Sequence, residues 1–127
     1  GSAFFVSYIL IRKEKIMTQT ITANNIEAFV AEEPLVILDF WADWCMPCKI
    51  MTPMIQELHA ASNDAFKLGM VDVEDQPELA ERYDIQSVPT LLIFKKGKAA
   101  EKVTGAFPKE KLKRYLDKKI AESNHEG

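Results

Sequence analysis

Cys45 and Cys48 are the only two cysteines in the 127-residue chain, and both lie in the segment DFWADWCMPCK, residues 39–49. A bond between them closes a loop too short to remove much entropy from the unfolded chain, so it has little value as a structural staple. A secreted disulfide scaffold would carry more cysteines at wider spacing. The pair therefore reads as a redox dithiol or as half of a metal site. Structural zinc takes four protein ligands, and the only histidines, His59 and His125, stand far away at no ligand spacing. At a helix start, unsatisfied N–H groups and the helix dipole favour a thiolate on the more N-terminal sulfur, Cys45. Cys48, one turn further in, is placed to attack a mixed disulfide formed on Cys45. Pro47 suits the first turn, where N–H groups lack helical partners anyway. Asp39 is the third residue with chemistry in it: an acid within the apolar run LVILDF is costly to bury in its charged form, so burial should raise its pKa. The alternative is an aspartate at the strand end that reaches solvent or caps the next turn.

These residues need a strand that stops where a helix starts. Leu35 to Phe40 is a nearly continuous apolar run, the pattern of a strand buried on both faces and hence central in its sheet. Downstream, Ile50, Met54 and Leu58 recur every fourth residue with Met51 and Ile55 beside them, marking the inner face of a helix that ends near Ala61 and carries a kinking Pro53. His59 falls on the exposed side of that helix. Before the central strand, Thr18 to Ile21 is a short strand candidate, and Thr22 can cap a helix presenting Ile26, Phe29 and Val30. After it come a strand at Phe66 to Val73, a short helix from Pro77 to Tyr83, and an apolar strand at Thr90 to Phe94. Lys96, Gly97 and Lys98 then turn the chain into an antiparallel partner at Ala99 to Thr104. Leu112, Leu116 and Ile120 mark the inner face of a last helix, with His125 in a frayed tail. Strands alternating with helices, followed by a hairpin, predict an α/β fold: a central mixed sheet of about five strands flanked by four helices. The acids Asp72, Glu74 and Asp75 fit neither a calcium loop nor a catalytic pair and read as solvated turn residues.

Composition narrows the function further. Sixteen Lys and Arg against nineteen Asp and Glu give a net charge of −3, which lacks the basic excess of a protein that neutralises phosphates, so no nucleic-acid partner is expected. The apolar stretch at residues 3–11 is about half the length that spans a bilayer, and its basic residues follow rather than precede it, the reverse of a secretory signal. No membrane partner is expected, and the location expected is cytoplasmic. Residues 1–16 read as a tag scar plus an N-terminal extension of uncertain origin, residues 17–122 as one domain and residues 123–127 as a C-terminal tail.

From Thr18 to Ala121 the chain resembles the thioredoxin family. DFWADWCMPCK resembles that family's active-site signature, Val88-Pro89-Thr90 its second hallmark, and Lys96-Gly97 and Gly105 its turn and late glycine. The resemblance implies a thioredoxin fold and a protein disulfide reductase in which Cys45 attacks substrate disulfides and Cys48 resolves the mixed disulfide. It implies that Asp39 accepts a proton from Cys48, and that Val88-Pro89 is a cis peptide packed against the dithiol. Trp44, Met46, Pro47, Val88, Pro89 and Gly105 are then the substrate-binding residues, with Trp41 a packing element. No bound cofactor is implied beyond the dithiol itself; the partners are protein disulfides and a thioredoxin reductase, and a monomer is expected. Two residues depart from the family pattern. Met46 replaces the usual glycine of C-G-P-C, enlarging the apolar surface beside Cys45. Met70 stands where many bacterial members place a lysine near the buried aspartate, which leaves Asp39 harder to ionise. An oxidant or isomerase on the same scaffold, and a redox-inert binding module, are the competing functions.

Overall fold

In the computed structural model residues 18–31 and 34–126 are described; the segment at residues 3–11 lies outside them. The elements follow in the order β1 (Gln19–Thr20), α1 (Ile26–Ala31), β2 (Leu35–Trp41), α2 (Met46–Ala61), β3 (Lys67–Asp72), α3 (Pro77–Arg82), β4 (Thr90–Lys95), β5 (Lys98–Thr104) and α4 (Lys109–Glu126). The strands form one five-stranded sheet in the order β1-β3-β2-β4-β5. β2 is indeed internal, parallel to β3 and antiparallel to β4. The β2-α2-β3 passage is a crossover, which is what parallel neighbours require, and it sets the N-terminus of α2 just beyond the end of β2.

Period-two alternation divides the apolar strands between two faces. Val36, Leu38 and Phe40 of β2 join Leu92 and Phe94 of β4 under α1 and α3, together with Ile21, Phe29 and Leu79. Leu35 and Ile37 join Leu91 and Ile93 on the opposite face, under Met51 and Ile55 of α2 and Leu112 and Leu116 of α4. Asp39 continues the second set, so its carboxyl is directed to the α2 side. A tight two-residue turn joins β4 to β5, with positive φ at both Lys96 (51°) and Gly97 (82°), the backbone that suits a hairpin. At the sheet edges, β1 is only two residues long, and β5 is largely exposed and carries Lys98 and Lys102, features that discourage further strand pairing.

Three expectations are corrected. Ile50 is 63% exposed rather than part of the inner face of α2, which is formed by Cys48, Met51, Ile55 and His59. The 3.6-residue period places residues 48, 51, 55 and 59 on one stripe and leaves 50 outside it. His59 is 7% exposed, not solvated, because it lies on that stripe and meets the Phe66 ring edge-on at 5.1 Å. α4 runs on to Glu126, through the expected tail, and His125 belongs to its last turn.

Candidate active site

β2 ends at Trp41, and α2 begins at Met46 with Cys45 as its N-cap in extended conformation. Pro47 sits in the first helical turn, where its missing N–H costs nothing. The sulfur of Cys45 accepts the Cys48 N–H at 3.2 Å, so it occupies the capping position that a serine or aspartate oxygen would take. Cys45 and Cys48 are joined in a disulfide with their Cα atoms 5.3 Å apart, and the structure therefore shows the oxidised form of a redox pair. Among the described residues no group of three or more His, Cys, Asp or Glu is placed to hold a metal ion.

Both cysteines are buried, at 3% and 2% exposure, so overall exposure does not separate them. Their surroundings do. Cys45 Sγ lies 3.6 Å from the Val88 carbonyl oxygen, a contact that becomes a possible S–H···O bond only when the disulfide is reduced. The Val88-Pro89 peptide is cis, as the resemblance implied. Gly105, in positive φ (103°), donates its N–H to the Pro89 carbonyl at 2.9 Å and so ties the end of β5 to the same loop. Ala42 and the two cysteines form a small buried cluster, against which Trp41, Val73 and Val88 pack. Trp41 is thus a packing element, as expected.

Three large apolar side chains are exposed near this cluster. Trp44 is 67% and Met46 64% exposed on either side of Cys45, and Ile50, one helical turn after Met46, is exposed as well. The Trp44 indole N–H donates to Glu74, which fixes the ring although it is exposed. Glu74 is the exposed turn residue expected, and it also anchors Trp44, a role that nothing in the local sequence signals. Asp72, the half-buried last residue of β3, accepts the N–H groups of Glu74 and Asp75 and shapes the turn they form.

Asp39 is fully buried. Burial raises its pKa from 3.8 to about 6, and the Thr52 hydroxyl, which donates to Oδ2 at 2.9 Å, pulls the other way. Oδ1 has no protein partner. In the sheet register Asp39 lies opposite Met70 on β3 and Leu91 on β4, so neither neighbouring strand offers it a charge. A cavity of about 380 Å³ opens beside the pair, with Cys48, Lys49, Thr52 and Met70 among its lining residues. Thr52 is a second residue the sequence reading missed. It follows Cys48 by one helical turn, and that spacing could have revealed it.

The geometry can be set beside known proteins. A model of the thioredoxin family matches residues 17–118. Thioredoxin of Chlamydia caviae is 39% identical over 101 residues, covering 80% of this chain and 97% of the relative. Thioredoxin of Staphylococcus aureus is 40% identical over 89 residues, covering 70% and 86%. Among solved structures, a singly substituted thioredoxin from Halobacterium salinarum superposes with a TM-score of 0.73 at 28% identity, over 81% of this chain and 90% of that one. A thioredoxin from Malassezia sympodialis gives a TM-score of 0.71, also at 28% identity, over 84% and 90%. With the capped dithiol, the mixed five-stranded sheet and these relatives in agreement, the chain belongs to the thioredoxin family and is a thiol-disulfide oxidoreductase that reduces protein disulfides by dithiol–disulfide exchange.

Proposed function

We propose the following division of labour within that activity. In the reduced protein the Cys45 thiolate attacks one sulfur of a substrate disulfide, forming a Cys45–substrate bond and releasing the other substrate sulfur as a thiolate that takes a proton from water. Cys48 then gives its proton to Asp39 and attacks Cys45. The Cys45–Cys48 bond forms, the Cys45–substrate bond breaks, and two electrons have passed from the protein to the substrate. A thioredoxin reductase returns the pair to the dithiol. The observation that carries the assignment is the position of Cys45: its sulfur caps α2 and faces the Val88 carbonyl, where a substrate chain can lie. Trp44, Met46 and Pro47 on one side and Val88, Pro89 and Gly105 on the other line the approach, so an extended substrate can pair with the Val88 backbone as an added strand.

The dithiol is the only redox centre this reading requires. The partners are protein disulfides, without nucleic acid or membrane, and the protein works as a cytoplasmic monomer built on residues 17–122. No helix among the described residues is long and apolar enough to cross a membrane.

Insulin reduction with dithiothreitol or a thioredoxin reductase as electron donor tests the scheme. The intact protein should turn over, and a Cys48→Ser variant should lose turnover while accumulating mixed disulfides through Cys45. No turnover by the intact protein would point to a redox-inert binding module, and an oxidising equilibrium with glutathione to an oxidant.

A further inference from the structure

A threonine inside a helix ordinarily turns its hydroxyl back to the carbonyl three or four residues earlier, and its propensity for helix is modest. Thr52 does otherwise. Its Oγ1 reaches across to β2 and donates to Oδ2 of Asp39 at 2.9 Å. The same side chain lines the cavity beside Cys48, so Thr52 stands between the sulfur's surroundings and the buried carboxyl. Oδ1 is left without a partner. No other side-chain hydrogen bond reaches this carboxyl among the described residues.

We propose that Thr52 is the positioning residue of the resolving step: its hydroxyl holds Oδ2 and so reserves Oδ1 as the oxygen that receives the Cys48 proton. This rests on the roles given above to Cys48 and Asp39. The hydroxyl donates to Oδ2 whether the carboxyl is neutral or ionised, but the bond is stronger to the anion, so it holds the base in place and favours its charged form. The groups around Asp39 leave this task to Thr52. Opposite it in the sheet stand Met70 and Leu91, α2 contributes Cys48 and Thr52, and the charged side chains on the wall of the cavity are Asp43 and Lys49. The proton leaves Cys48 Sγ, arrives at Asp39 Oδ1, and the sulfur's electron pair forms the bond to Cys45 as the substrate thiolate departs.

Reaction of the reduced full-length chain with 5,5′-dithiobis(2-nitrobenzoate) separates the steps, because the first thiolate is released by Cys45 and the second by Cys48. Thr52→Val removes the hydroxyl and keeps the shape; Thr52→Ser keeps the hydroxyl. Thr52→Val is expected to slow the second phase about tenfold near pH 6 and to move its pH midpoint and the infrared titration of the Asp39 carboxyl upward by about one unit. The first phase should stay within about twofold of the parent protein, and Thr52→Ser should behave as the parent in both phases. An unmoved midpoint in Thr52→Val overturns the proposal, as does equal slowing of both phases or a Thr52→Ser variant as slow as Thr52→Val. If instead the parent protein shows no second phase, the failure lies with the resolving role of Cys48, and the proposal falls with it.

Discussion

Asp39 illustrates how one residue can cost stability and serve chemistry at once. Burial holds its carboxyl at a pKa of about 6 against 3.8 for the free group, which places it near the pH at which a proton acceptor works best. Between those two values the unfolded chain has released the proton while the folded chain still holds it. The stabilising contribution of the raised pKa is therefore complete below 3.8 and is lost as pH rises through 6, by about 3 kcal/mol in all. Asp39→Asn should thus gain about 1–3 kcal/mol over the parent at pH 8, with the gain fading toward pH 4, while the resolving step slows. Urea denaturation at the two pH values reads the first effect; equal differences at both would refute the account. Met70→Lys should lower the Asp39 pKa by placing a cation opposite it in the sheet, and an unchanged carboxyl titration would sink that expectation. The acid within LVILDF was legible in the sequence because charge there is expensive. Its Thr52 partner was not, since the bond is made between two elements rather than along one.

At the scale of elements, legibility followed local pattern. β2 and β4 were evident because both of their faces are buried, and the start of α2 because Cys45, Pro47 and Cys48 fit a helix N-terminus. The mistakes at Ile50 and His59 arose in choosing which of two adjacent helical stripes faces inward, which is decided by the strands beneath α2. Gly69 shows the same dependence on packing between elements. A Cβ built there would lie 2.5 Å from Ile21 Cγ1, 2.9 Å from Leu38 Cδ2 and 2.9 Å from Phe29 Cε2. All three atoms belong to buried side chains of the core beneath α1, so relief requires Ile21 after β1, Phe29 of α1 and Leu38 of β2 to give way. Gly69→Ala should cost about 1–3 kcal/mol, read as a lower urea midpoint with an unchanged dithiol reaction rate in the folded protein. A neutral effect would show that α1 yields more readily than its packing implies. Nothing near Gly69 in the sequence marks it, because the close approach joins residues far apart in the chain.

The whole molecule keeps its chemistry at one end of the sheet and buries a second titrating group, His59, at the far end of α2. Burial pushes the His59 pKa below its ordinary 6.5, opposed by the charge of Asp64 and the backbone bond with Phe66. A depressed pKa gives stability that is present above 6.5 and is lost as pH falls, because the unfolded chain takes up the proton first. Asp39 has the opposite slope, gaining stability as pH falls from about 6 toward 3.8. Since folding links the two ends, the pH dependence measured for either group contains the other, and their opposition flattens the profile of the intact protein on the acid side of neutrality. His59→Leu removes one slope and keeps an apolar side chain against Phe66. Its stability relative to the parent should therefore improve steadily from pH 7.5 to pH 5, whatever its offset at neutral pH, so that the variant gains more from acidification than the parent does. Denaturation curves of the two proteins at several pH values decide the matter: a constant difference between them would mean that His59 takes up its proton equally in the folded and unfolded chains.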